Sequence, residues 1–228
     1  MEEYLEKQKM LSTGSNLMTI SRKVKRGELS NLGYGYYAEN RKTLHFNLDE
    51  TMQAIEKVLD EFPMTPKHAI FSSISLNFCI NQLISSTTYI VEVEKGYDQS
   101  VFEFLKDRLD NVILLNPDEG MKINYWKPNA IYIYELYTRA PTNKNGTTCI
   151  EKLIVDLLVD KKHITLFSGS DVTMSIERLC KEYAVNYQTL LSYASRRGKK
   201  KEVLTAIQDY IPSPILERIT EHDQQKIA

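Results

Sequence analysis

The sequence predicts a mixed α/β chain, α+β in arrangement: a small N-terminal module, then a larger mixed-sheet domain with helices packed on it, and a helical C-terminus. Three observations predict it. A short amphipathic basic helix and a glycine-punctuated hairpin fill the first segment, strand and helix patterns then take turns as far as Tyr137, and past Pro141 the apolar spacing becomes helical. An apolar share of 42% in 228 residues is enough to bury a core in one medium and one small domain. The boundaries expected are 1–46, 47–211 and a polar tail over 212–228.

Glu3 to Leu11 reads as a supporting helix, joined through the turn Ser12, Thr13, Gly14, Ser15 to a second helix that starts at Leu17. In that second helix Leu17, Ile20 and Val24 fall on one side and Thr19, Arg22, Lys23 and Arg26 gather roughly opposite, so one face packs and the other can meet phosphate. Gly27 stands where a left-handed residue ends a helix, Leu29 and Leu32 turn back toward the core, and Gly33 and Gly35 relax the backbone around Tyr34, Tyr36 and Tyr37. Leu44 and Phe46 alternate as a returning strand, with Arg41 and Lys42 at the tip between.

This is the order of a DNA-reading winged helix. Thr19 and Ser21 suit base edges, Arg22, Lys23, Lys25 and Arg26 suit the phosphate backbone, and Tyr34, Arg41 and Lys42 belong to the wing. A basic amphipathic helix alone is commonly a solvated surface helix, and the glycine and tyrosine hairpin is what favours DNA. A full winged helix has a further helix in front, so the module is expected to be minimal, degenerate or truncated.

In the larger domain, Asn47 and Glu50 have capping-box spacing before Met52, Ile55, Val58, Leu59 and Phe62, a helix that stops before Pro63. His68 to Ser73 reads as a strand, Leu76 to Ile84 as an apolar helix, Thr87 to Glu94 as a strand and Tyr97 to Leu109 as a helix. Asn111 to Leu115 and Ala130 to Tyr137 supply two more strands. Thr148 and Glu151 cap a helix buried through Ile150, Leu153, Ile154, Leu157 and Leu158, with Asp156 on its other side. Ile164 to Phe167 reads as a last strand. Helices then follow over Val172 to Tyr183, Tyr187 to Arg196 and Glu202 to Tyr210, and Pro212 and Pro214 loosen the tail.

A net charge of -1 excludes a protein that coats nucleic acid by bulk charge, so any such binding comes from local patches. One is Arg22 to Arg26 with Arg41 and Lys42. The other is Arg196, Arg197, Lys199, Lys200 and Lys201, which either complements a helix C-terminus or makes a second phosphate-contacting patch. Cys79, Cys149 and Cys180 lie far apart in apolar surroundings, as buried thiols in a reducing compartment do. His45, His68, His163 and His222 lack metal-ligand spacing, and no nucleotide-binding, zinc-protease or serine-nucleophile motif occurs. No metal or cofactor is expected, nor an enzyme. The charged N-terminus and the lack of long apolar runs point to the cytoplasm and away from a membrane.

Glu92, Glu94 and Lys95 end the strand YIVEVEK in the manner of a Mg²⁺-dependent nuclease, yet no acid lies between Glu61 and Glu92 to give the metal its second carboxylate. Polar residues on an exposed strand face are the reading favoured. Tyr132, Tyr134 and Tyr137 would stack on bases or, as favoured, line a partly wet sheet face.

The segments ISRKVKRGELSNLGYGYYA, YIVEVEKGYDQSVFEFLK, YELYTRAPT, CIEKLIVDLLVD and YAVNYQTLLSYASRRGKKKEV together resemble the abortive-infection AbiEi-like antitoxins of bacterial type IV toxin–antitoxin systems. The resemblance implies a winged helix that represses its own operon and an antitoxin domain that counters a nucleotidyltransferase-like toxin without a stable inhibitory complex. It implies operator DNA as partner, contacted by Thr19, Arg22, Lys23, Arg26, Arg41 and Lys42; with so few phosphate-facing cations per copy, self-association on paired half-sites or cooperative loading is expected. The alternatives are the metal-dependent nuclease and a protein-interaction module without DNA binding.

Overall fold

The computed structural model describes residues 4–80, 84, 86–160 and 169–224, and the chain divides into two compact units. One joins Met1–Leu44 to Ile176–Ala228; the other is His45–Ser175. The mixed α/β class expected from the pattern is the class observed. The boundaries expected were at 46 and 211; the units divide after Leu44 and after Ser175, so that 176–211, expected in the larger domain, groups with the N-terminal unit.

In that unit β1 (Tyr4–Glu6), α1 (Lys7–Ser12), α2 (Leu17–Lys25), β2 (Leu29–Gly33) and β3 (Tyr36–Glu39) follow one another, and the strands form an antiparallel sheet of order β1-β3-β2. Of the segment read as one helix from Glu3 to Leu11, residues 4–11 are a strand and a short helix, and residue 3 lies outside the described residues. Helix α2 begins where the Asn16 side chain accepts the Thr19 N–H at 2.8 Å and ends ahead of Gly27, whose φ of +75° a side chain would resist. Its Ile20 packs with Met10 and Leu29, with Leu5, Val24 and Tyr37 around them. The hairpin turns at Tyr34 and Gly35, both left-handed. It does not run on to Arg41, and residues 43–46 form no strand.

The same unit contains the end of α7 (Gly169–Glu182), then α8 (Tyr187–Arg196), α9 (Lys200–Ile207), a 3-10 turn (Gln208–Tyr210) and α10 (Ser213–Gln224). The tail expected to be loose over 212–228 is therefore helical over Ser213–Gln224, and its residues 225–228 lie outside the described residues. Pro214 stands in the first turn, where a missing N–H costs nothing, and Ile215 and Ile219 are buried.

In the His45–Ser175 unit β4 (His68–Ser72), β5 (Thr88–Glu94), β6 (Ile113–Leu115) and β7 (Ala130–Leu136) form a sheet of order β4-β5-β7-β6, with β4 antiparallel and the others parallel. On one face α3 (Glu50–Asp60) and α4 (Asp98–Lys106) pack Met52, Ile55, Val101 and Leu105 against Val91, Val93, Ile131 and Ile133. Asp49, not Asn47, caps α3, accepting the Met52 N–H at 2.9 Å. Helix α5 (Glu119–Asn124), absent from the sequence reading, precedes β7, and α6 (Ile150–Val159) follows it. The apolar helix read from Leu76 to Ile84 is not formed over its described residues 77–80: a 3-10 turn (Ser73–Leu76) ends at Leu76 and a turn follows, while residues 81–83 and the strand read at 164–167 lie outside the described residues. No helix among the described residues is long and apolar enough to cross a membrane.

Candidate nucleic-acid interface

Helix α2 presents the first basic patch. Thr19, Ser21, Arg22, Lys25 and Arg26 are exposed and Lys23 half-buried. Arg26 lies 3.6 Å from Glu28, a wet contact of little energetic weight. Leu17, read as part of the packing face, is 58% exposed, and its neighbour Met18 63%. The Arg22 Nη2 rests 3.3 Å from the Met18 Sδ.

Arg41 and Lys42 do not join this patch. Arg41 donates through Nη1 to the carbonyls of Cys180 (3.0 Å), Lys181 (3.3 Å) and Tyr183 (3.1 Å), and its Nη2 lies 3.4 Å from the Tyr4 hydroxyl. The last carbonyls of a helix have no partner within it and carry the negative end of its dipole, so a guanidinium is drawn to the C-terminus of α7. Lys42 accepts the Ala184 N–H through its own carbonyl at 2.8 Å. Arg41 is thus corrected from a wing-tip cation to a clasp on α7, whereas Lys42 is tied only through its backbone and its side chain is exposed.

Tyr34 is likewise turned inward. Its φ is +52°, its N–H donates to the Gln188 Oε1 at 3.2 Å, and its ring meets that of His222 edge-on at 6.1 Å. Burial, then the charge of Asp223, raises its hydroxyl pKa. Tyr34, Gly35, Gln188, Arg218, Glu221 and His222 line a cavity of about 330 Å³.

The second basic patch is largely engaged within its own unit. Arg197 donates to the Tyr193 hydroxyl at 3.0 Å, Arg196 lies 6.0 Å from the Tyr193 ring centre, Lys199 pairs with Glu202 at 2.7 Å and Lys200 pairs with Asp223. Lys201 is exposed.

In the other unit the acidic strand end does not assemble as a Glu92, Glu94, Lys95 triad. Glu92 is buried, not on an exposed face, and the second carboxylate comes from α6: Asp156, also buried. Between them stands the ammonium of Lys152, whose side chain is 2% exposed, paired with Glu92 and 2.5 Å from Asp156. Burial raises the Glu92 carboxyl to about 7, opposed by Lys152 and reinforced by Asp156. Glu94 instead accepts the Lys67 N–H at 3.1 Å, and Lys95 lies 3.7 Å from Glu135. Among the described residues no group of His, Cys, Asp and Glu is arranged to hold a metal ion. Lys152 and Asp156, missed in the sequence, had one signal: opposite charges four residues apart in an otherwise apolar helix.

The tyrosines expected on a wet sheet face divide. Tyr132 and Tyr134 are buried, with the Lys122 ammonium 5.9 and 5.8 Å from their ring centres, and Tyr137 is exposed. His68 is fixed at both ring nitrogens, by the Pro66 carbonyl at 3.2 Å and the Glu56 carboxylate at 3.1 Å. Burial works against its charge, but Glu56 outweighs it and the pKa is raised. None of the three thiols is in a disulfide and all are buried, and burial pushes those of Cys149 and Cys180 up to about 12, far from reactive thiolates.

A search of curated proteins finds no match to the chain. A family model described as a family of unknown function, DUF6577, matches residues 17–213, from the first residue of α2 to the first of α10. With that much of its length matched, the chain belongs to the DUF6577 family.

Proposed function

We propose that the protein is a DNA-binding regulator that lays α2 in the major groove of duplex DNA. One observation carries this: Arg22, Lys23 and Lys25 lie on a single helix of nine residues and Arg26 caps its end, none of them drawn into the kind of helix-end clasp that holds Arg41. The setting supports it. A short helix and a turn precede α2, an antiparallel hairpin follows, and the strand order β1-β3-β2 is that of a winged helix. The net charge of -1 makes the binding local, so a single copy grips weakly and paired half-sites raise affinity.

The biological setting proposed is an autorepressing antitoxin of a type IV system in the cytoplasm, acting against a nucleotidyltransferase-like toxin. Its support is the resemblance of five segments of the chain to AbiEi-like antitoxins. A metal-dependent nuclease finds less support, since an ammonium stands between Glu92 and Asp156.

The test is a mobility-shift titration on the DNA upstream of the protein's own gene, with the full chain and with Arg22→Ala/Arg26→Ala. Shifted wild type and a variant weakened at least tenfold support the reading. A wild type that shifts no duplex removes it. Cognate gene context tests the antitoxin part separately: expression of the adjacent nucleotidyltransferase-like gene arrests growth, and co-expression of this chain restores it.

A further inference from the structure

Two apolar side chains lie exposed at the start of the most basic helix in the N-terminal unit. At about 100° per residue, Met18 and Arg22 both point about 160° away from the buried Ile20, one to each side of the outward direction, with Lys25 on the same side as Met18. Met18 therefore occupies the middle of the outward face, where solvation alone favours a polar residue. Leu17 borders it, and among the described residues both rank with the exposed large hydrophobics. Cations surround them: Arg22, Lys23 and Lys25 follow along the same helix and Arg26 caps its end.

A purely hydrated helix has no use for this pattern, and a purely phosphate-binding one has no use for its apolar part. The major groove of duplex DNA accommodates both, because it admits a helix between two lines of phosphate and presents one apolar group, the thymine C5 methyl. Residues at the start of a recognition helix are the ones that reach base edges. A thioether is flexible and polarisable, and so adapts to a methyl.

Resting on the DNA-binding reading above, we propose that Met18, bordered by Leu17, reads a thymine methyl, and that Arg22, aligned by the Met18 sulfur, reads a guanine beside it. The contact of 3.3 Å between Arg22 Nη2 and Met18 Sδ holds the guanidinium along the outward face, where its fork can meet the O6 and N7 of guanine. Four residues of helix advance about 6 Å, less than two base-pair steps of about 3.4 Å each, so the thymine lies within two steps of the guanine. Met18 acts on the guanine contact as a positioning residue and on the thymine directly.

The experiment uses the full chain. Preferred duplexes are selected from a randomised library with the wild type, and each thymine of the selected site is replaced in turn by deoxyuridine, which keeps the pairing and removes the methyl alone. One such replacement weakens wild-type binding about fourfold, the weight of one buried methyl, and leaves Met18→Ala unaffected. Met18→Ala also relaxes the guanine preference, which loss of an apolar contact alone would not do. If the wild type binds its selected site but tolerates deoxyuridine at every thymine, this inference fails while DNA binding stands. If it selects no duplex, both fail. Met18 is exposed, so the variant keeps its fold, which circular dichroism verifies.

Discussion

The backbone of Gly33 passes so close to α8 that a β-carbon on it would stand 2.7 Å from the Gln188 nitrogen and 2.9 Å from the Asn186 Oδ1. That approach joins the end of β2 to the start of α8 and is why the first 44 residues share a compact unit with the C-terminal helices. Gly33 also has a φ of +86°. Gly33→Ala therefore combines a left-handed backbone penalty with overpacking, and is expected to cost about 2–4 kcal/mol in urea unfolding, whereas Gly27→Ala, with open space around it, loses only the backbone part.

Arg41 and Lys25 differ in setting although both read as DNA-contacting cations in the sequence: Arg41 is held on backbone carbonyls and Lys25 is exposed. Arg41→Ala is expected to cost about 2 kcal/mol of stability through the carbonyls it leaves uncapped, without altering the salt dependence of DNA binding below the unfolding transition. On the proposed DNA binding, Lys25→Ala is expected to leave stability within about 0.5 kcal/mol and to reduce the slope of log K against log salt by about 1. Thermal melts paired with binding titrations at several salt concentrations read both.

The cluster of Lys152 between Glu92 and Asp156 carries one positive charge against two carboxylates in a buried site. Lys152→Met removes the ammonium that both buried carboxylates face and is expected to lose about 3–5 kcal/mol at neutral pH. Because the Glu92 pKa rises from 4.5 to about 7 on folding, the folded state holds the proton more tightly. Its contribution is then fully present below about pH 4.5 and is lost as pH rises through 7. Glu92→Gln should abolish that loss, so denaturant midpoints measured at pH 5 and pH 8 differ less in the variant than in the wild type.

His68 works in the same direction for a different reason. Its pKa is raised above 6.5 by Glu56, so the pair stabilises the fold fully below pH 6.5 and its contribution fades as pH rises through the folded value. Glu56→Gln leaves burial opposed only by the Pro66 carbonyl and the charge of Asp60. The His68 ring resonances, followed by NMR, should then titrate below their wild-type midpoint. An unchanged midpoint would mean that Glu56 does not hold the charge.

Most of the secondary structure was legible because its signals are local. The alternation of Val, Tyr and Ile marked β5, and apolar residues at helical spacing marked α2, α3, α4 and α8. Helix α5 escaped because it has six residues and its Ile123 is exposed, leaving no apolar stripe to read. Asp49 was passed over as the cap of α3 because Asn47 matched a four-residue motif, and only backbone geometry chooses between two adjacent candidates.

By itself the sequence determined the mixed α/β class, the basic character of α2 and the places where strands and helices alternate, since propensity, periodicity and turn chemistry act over a few residues. The tertiary structure alone decided which charges face water. Arg41 went to the open carbonyls of α7, and Glu92 went inward to meet Lys152. Tyr34 bent back to Gln188, while Met18 remained outside. A charged side chain settles where its partners offset the loss of water, and those partners lie tens of residues away, at distances along the chain that no local pattern encodes.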